Sequence, residues 1–310
     1  MYHSFTAKLL LSILFLVVAA SSAQAKNLKP FILADSVNGD SAQVIAAVKT
    51  KLTNTGFEVI GDYSPYNGAN IIIVTNEALK KNAAATEFGA YGALQRVAIT
   101  DREGKVRVSY TNPVYMAAVY RMADSLDNVA SALKTALGAQ KSYGSDKGLS
   151  ADDLSDYHYM FGMPYFNDPD MLVDHGSYSN ALDKVAAALA DKKGGVTKVY
   201  QVELATKKQT VIGVAMTEGM SSDSTIMAEV DFKDIRSTAH LPYEMLINED
   251  GKVYALSAKF RIAISFPDLA MTGSHSFMGI MDSPDAIKKA LKQAAGVKPE
   301  KTSNSGGFGF

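Results

Sequence analysis

Two stretches of this chain follow one plan, and any fold it adopts has to accommodate both. Leu94–Tyr110 reads LQRVAITDREGKVRVSY, and Leu241–Ser265 reads LPYEMLINEDGKVYALSAKFRIAIS. Each is an apolar run, a charged turn ending in Gly-Lys-Val, and a second apolar run. Val97, Ile99, Val106 and Val108 alternate with polar residues, and that period of two marks half-buried strands. Both stretches are therefore expected to be hairpins, each upstream of a Ser-capped amphipathic helix. Leu94, Gly104, Lys105 and Val106 align without a gap on Leu241, Gly251, Lys252 and Val253. Downstream, SLDNVASALKTALG at Ser125–Gly138 lies over SPDAIKKALKQAAG at Ser283–Gly296, with Ser, Asp, Ala, Leu, Lys, Ala and Gly in common. The offset changes between hairpin and helix, so the second copy carries an extra segment around Phe266–His275. We read this order as a duplicated domain, since the repeat is too long for a solenoid.

The remaining elements fall around the hairpins. Phe31–Ala34 is an expected strand. Asp40 or Ser41 can cap a helix whose inner face is Val44, Ile45, Val48 and Leu52. Phe57–Ile60 is a strand, and Ile71–Val74, β-branched without polar alternation, reads as a strand buried on both faces. Glu77–Phe88 is expected to be helical. Asn112-Pro113 ends the first hairpin, and Tyr115–Met122 follows as a connection. Ser125 caps a helix facing inward through Leu126, Val129, Leu133 and Leu137. In the second copy Ser179-Asn180 caps a helix carrying Leu182, Val185 and Leu189. Strands follow at Val199–Leu204, Val211–Met216 and Ile226–Val230. Ser283 caps the last helix, with Pro284 at its first position.

These elements give an α+β fold of two similar small domains, each a mixed or antiparallel sheet packed against helices. The expected boundaries are 1–25 for a signal peptide, 26–142 for the first repeat, 143–178 for a connector, 179–297 for the second repeat and 298–310 for a disordered tail. The signal reading rests on the apolar run Leu9–Ala20, too short to span a bilayer, followed by Ala23-Gln24-Ala25 in A-x-A form. It places the mature protein in the periplasm or outside the cell, with no integral membrane segment once the signal is removed. The absence of cysteine excludes a disulfide framework, a thiolate zinc site and a cysteine nucleophile. A net charge of −1 with both signs scattered leaves no footprint for nucleic acid.

The run Leu94–Ala117, with its GKVRVSYTNPVYMA, resembles the C-terminal half of domain of unknown function family 302. That family pairs an apolar strand, a charged turn, a GKV-type strand and an Asn/Asp-Pro break. The second hairpin shares the first part and departs at Ala258-Lys259. The resemblance implies a small α+β fold and brings no activity or site residues with it.

Two constellations carry chemistry. Met271, His275, Met278 and Met281 place three thioethers and an imidazole in one short segment, and the connector adds His158, Met160 and Met163. Thioether and imidazole suit Cu(I), or non-covalent haem, since C-x-x-C-H attachment needs cysteine. The same methionines also serve as filling for irregular cores. The second constellation is the connector's YHYMFGMPYFNDP. Tyr157, Tyr159, Phe161, Tyr165 and Phe166 are candidates to line an interdomain cleft or to hold the domains together. Nucleophile-elbow and phosphate-loop patterns are missing. The leading expectation is a non-catalytic binding module for an unidentified small molecule or protein. A copper or haem binder is the alternative, and a hydrolase with an unrecognised carboxylate site is the third reading.

Overall fold

The computed structural model describes residues 27–298; the expected signal segment and the stretch from 299 onward lie outside the described residues. The first half runs β1 (Phe31–Leu33), α1 (Ser41–Asn54), β2 (Glu58–Tyr63), β3 (Ala69–Thr75), α2 (Glu77–Ala84), β4 (Gln95–Arg102), β5 (Lys105–Thr111), α3 (Pro113–Val119), α4 (Asp127–Leu137) and β6 (Lys141–Tyr143). A short α5 (Ala151–Ser155) lies in the connecting segment. The second half runs β7 (Asp170–Asp174), α6 (Tyr178–Ala190), β8 (Val196–Leu204), β9 (Gln209–Met216), α7 (Asp223–Val230), β10 (Tyr243–Ile247), β11 (Lys252–Ala255), α8 (Ala258–Ser265) and α9 (Ser283–Ala294).

The strands form two sheets, ordered β2-β3-β4-β5-β1-β6 and β8-β9-β10-β11-β7. Every paired neighbour is antiparallel, so the fold is α+β with two antiparallel sheets. Counted within its own half, each sheet places its second, third, fourth, fifth and first strands side by side in that order. Only β6, outside β1, has no counterpart among the described residues.

Local chemistry accounts for the elements that patterning predicts. Asp40 and Gln43 form a reciprocal capping box at the start of α1, satisfying two orphan N–H groups. Val44, Val48 and Leu52 then bury one helical face. Strand β3 is buried on both sides: Ile72 and Val74 pack with α1 and α4, while Ile71 and Ile73 join the core shared with the second half. In α9, Ile287, Leu291 and Ala294 form the buried stripe, with Pro284 in the first turn.

Five local expectations are corrected. Ile226–Val230 is the end of helix α7, where Ile226, Met227 and Val230 share an inward face. The second apolar run of the later hairpin is a strand only to Ala255; Ala258–Ser265 is helix α8. The connection after Asn112-Pro113 contains α3, with Pro113 in its first turn, where its missing N–H costs nothing. Ser177, not Ser179 or Asn180, caps α6, and α4 begins at Asp127, after Leu126 in left-handed backbone.

The halves meet reciprocally. The turn Gly89–Gly92 of the first half packs on β9 and β10, and the turn Thr238–His240 of the second packs on β3, β4 and β5. Edge strands β2 and β8 lie against each other, each with a bulge, after Val59 and after Lys198. The approach is close enough that a Cβ on Gly61 would stand 2.6 Å from the Val199 carbonyl oxygen. At the centre, Arg96 of β4 pairs with Glu244 of β10, and Arg261 of α8 lies 3.5 Å from the same carboxylate. Arg261 also donates to the Tyr120 hydroxyl at 2.9 Å and to the carbonyls of His240 and Pro242 at 2.6 and 3.1 Å. Tyr200 donates to Glu244 at 3.2 Å. Burial, then the Arg261 and Arg96 charges, hold the His240 imidazole well below its ordinary value and therefore neutral. It shares hydrogen bonds with Ser265 Oγ (2.9 Å) and the Tyr243 hydroxyl (3.1 Å). A buried ion pair gains little over an apolar equivalent, but losing one partner is expensive, so the members of this cluster depend on one another across the two halves.

Candidate functional site

A cleft opens where the halves meet, and its volume of about 700 Å³ is in the usual range for ligand sites. One wall is β6 and the turn Gly144–Asp146; the second is the segment Val230–Ser237 after α7. The third is the stretch after α8, with Phe266, Asp268, Leu269, Ser274 and His275.

The second wall is an irregular loop belonging to the second half, yet the first half holds it in place. Arg102 Nη1 donates to the carbonyls of Phe232 and Lys233, each at 3.2 Å. Arg107 grips the Asp234 carboxylate with both terminal nitrogens, at 2.8 and 3.3 Å, and its carbonyl at 3.0 Å. The Tyr143 hydroxyl donates to the Arg236 carbonyl at 2.7 Å. At the root of the loop, Asp231 accepts from Ser237 N (2.6 Å), the Thr238 hydroxyl (3.0 Å) and the Tyr66 hydroxyl (3.4 Å). Burial pushes the Asp231 carboxyl up to about 6, against the pull of those donors. These contacts leave Phe232 and Lys233 presented on the cleft wall. The first and third walls are tied together through Asp268, which accepts from Ser145 Oγ at 3.2 Å and Asp146 N at 2.6 Å.

His275 stands on the third wall of the cleft. Its backbone is left-handed, with φ of 53°, an uncommon conformation for a non-glycine residue. The ring stacks on Phe232 with centroids 4.4 Å apart and planes at 19°. Nδ1 lies 3.0 Å from the Glu229 carbonyl oxygen. A carbonyl only accepts, so Nδ1 carries the hydrogen and Nε2 is the basic nitrogen. The Glu229 carboxylate also accepts from Ser276 N at 3.1 Å, so one residue holds both the loop and its imidazole.

The residues singled out from sequence are distributed differently. None of the five connector aromatics lines this cleft. Phe166 is buried, stacked on Tyr120 at 5.2 Å with Phe260 beyond it. Tyr157 donates to the Ala263 carbonyl at 3.3 Å, and Tyr159 to the Leu269 carbonyl at 3.1 Å. Tyr165 packs against His158 at 4.3 Å, whereas Phe161 is 100% exposed. Tyr159 and Met163 meet Ile262, Leu269, Met271 and Phe277 in a narrow apolar seam, so the connector and the extra segment do touch each other.

The methionine and histidine set is divided between these places. Met271 belongs to the apolar seam and His275 to the polar cleft, although backbone bonds from Phe277 to Ala270 and Met278 to Met271 close the loop between them. Met278 and Met281 are more than half exposed, at 58% and 59%, while His158 and Met160 lie in the connector. Among the described residues, no three or more His, Asp or Glu side chains gather as a metal site. The residues that sequence reasoning missed are Tyr143, Asp231, Phe232, Lys233, Asp234 and Asp268. An aromatic flanked by charges in Asp231-Phe232-Lys233-Asp234 was their one visible signal.

No family model, curated protein or solved structure matches this chain.

Proposed function

We propose that the protein is an exported, non-catalytic binding module whose ligand occupies the cleft between the two halves. The observation that carries this reading is the loop Asp231–Ser237: one half supplies it, and Arg102, Arg107, Tyr143 and Tyr66 of the other half hold it open beside the cleft. Preorganised walls lower the cost of binding, because fewer groups have to be ordered when the ligand arrives. Lys29, Lys141 and Lys233 supply ammonium groups, and Phe232 and Phe266 supply apolar faces, which suits a small polar ligand with one flat side. The matching strand order supports a duplication in which the cleft arose between the copies. The likeness of Leu94–Ala117 to domain of unknown function family 302 agrees with such a scaffold and adds no chemistry.

The copper reading keeps one supporting observation, the basic Nε2 of His275, since metal-binding imidazoles commonly donate their other N–H to a carbonyl. Both readings are tested together. Wild type, Phe232→Ala and His275→Ala are screened by thermal shift against a library of sugars, amino acids, short peptides and organic acids, with anaerobic Cu(I) in parallel. A ligand that stabilises wild type and loses at least tenfold in affinity in Phe232→Ala supports the cleft. Ligands that bind all three proteins alike would sink it. Tight Cu(I) binding lost only in His275→Ala would move the assignment to metal.

A further inference from the structure

Among the described residues the second sheet stops at β7, one strand short of its counterpart. In the first sheet, β1 is covered by β6: Leu33 lies opposite Lys141, Ile32 opposite Ser142 and Phe31 opposite Tyr143. Strand β6 gets there because the chain leaves α4, turns at Gly138 with φ of 78°, and comes straight back along β1. In the second sheet β7 takes the place of β1, and among the described residues nothing pairs with its outer edge. An open edge is a row of unsatisfied N–H and C=O groups, which natural sheets cover or blunt.

The chain after α9 arrives at that edge. Helix α9 takes the place of α4, and Gly296, with φ of 91°, takes the place of Gly138. The Ala295 carbonyl lies 2.8 Å from His175 Nε2, and a Cβ on Gly296 would stand 3.6 Å from the same ring. His175 is the residue directly after β7, so the polypeptide passes the end of that strand at Ala295 and Gly296, just before Lys298.

We propose that the outer edge of β7 is the docking site for the stretch of this chain that follows Lys298, added antiparallel as the sixth strand of the second sheet. Charge agrees with the assignment. Strand β7 carries Asp170 and Asp174, of which Asp174 is exposed and Asp170 is held by Lys288 at 2.5 Å, and the incoming Lys298-Pro299-Glu300-Lys301 has lysines at both ends. Its composition suits an outermost strand. Charged side chains deter a further partner, and proline is tolerated at the first residue of an edge strand, where no ladder bond needs its N–H.

Amide exchange read residue by residue by NMR tests this in the full chain and in a chain ending at Lys298. The β7 amides not used by β11 are expected to exchange at least tenfold faster in the shortened protein, while β9 and β10 amides stay unchanged and report that the fold is intact. Adding a synthetic peptide of residues 299–310 to the shortened chain is expected to slow them again. Equal exchange in the two chains overturns the proposal. So does protection in the full chain that rises with protein concentration, because a second copy would then be covering the edge.

Discussion

Asp223 shows what one side chain at the junction of the halves can do. It opens α7, is almost fully buried, and accepts from the Tyr63 hydroxyl at 3.2 Å and Met216 N at 3.3 Å through one oxygen only. The other oxygen has no partner, and burial pushes the carboxyl up to about 7 from an ordinary 3.8. Because the folded value is raised, the carboxyl's contribution is fully present below about pH 3.8 and is lost as pH rises through about 7. Asp231 acts in the same direction, with a folded value of about 6. Replacing Asp223 by Asn removes one of the two titrations. The fall in unfolding free energy between pH 5 and pH 8 is then expected to shrink by about 3 kcal/mol, at roughly 1.4 kcal/mol per unit over about two units. Urea denaturation at both pH values checks it, and an unchanged slope would show that Asp223 is hydrated in solution. The sequence displayed Asp223 only as one acid in a Gly- and Ser-containing stretch. Its hydrogen-bond donor Tyr63 lies 160 positions away, and no local pattern announces that.

At the scale of elements, the legible parts were those in which one face meets water. Helix α1 carries its period in plain view for that reason, whereas β3, buried on both sides, was legible from an unbroken β-branched run. Helix α8 was not. Phe260, Arg261, Ile262, Ala263, Ile264 and Ser265 are all buried and Lys259 alone is exposed, so no solvent face recurs to impose a 3.6-residue period, and the sequence imitates a strand. The β8–β9 pair gives a test of packing at this scale. The Tyr200 ring lies over Gly213 so closely that a Cβ there would fall 1.8 Å from Tyr200 Cε1. Gly213→Ala is expected to cost about 1–3 kcal/mol, as overpacking usually does. In a Tyr200→Ala background the same change should cost little, and the double-mutant cycle measures the difference. Equal cost in both backgrounds would mean that backbone conformation, not the ring, requires glycine at 213.

Over the whole molecule, two halves of one strand order share one buried core. The buried cluster is shared, since β4 supplies Arg96, β10 supplies Glu244 and α8 supplies Arg261. Glu244→Gln leaves two guanidinium groups without a countercharge, and a loss of about 3–5 kcal/mol is expected. Chemical denaturation followed by both far- and near-ultraviolet circular dichroism should show one transition in wild type and in the variant. Separate transitions for the two halves would contradict the shared cluster. This scale also explains why the cleft was invisible in the sequence. Its clamps join Arg102 to Phe232 across 130 positions and Tyr66 to Asp231 across 165, and neither partner carries a local signature of the other.

The reciprocal exchange of turns, Gly89–Gly92 onto one sheet and Thr238–His240 onto the other, is how two subunits of an isologous dimer embrace. Two identical chains meeting this way would be bound by their own symmetry. Whatever β4 presents at the axis, its mate presents too, and an arginine there would confront an arginine. Joined in one polypeptide, the two sides are spelled independently, and the cation on β4 finds a carboxylate on β10. The same independence lets one side extend its loop into a cleft while the other supplies the arginines that hold it. A covalent pair of halves can therefore build one asymmetric mouth where a symmetric assembly would have to build two or none.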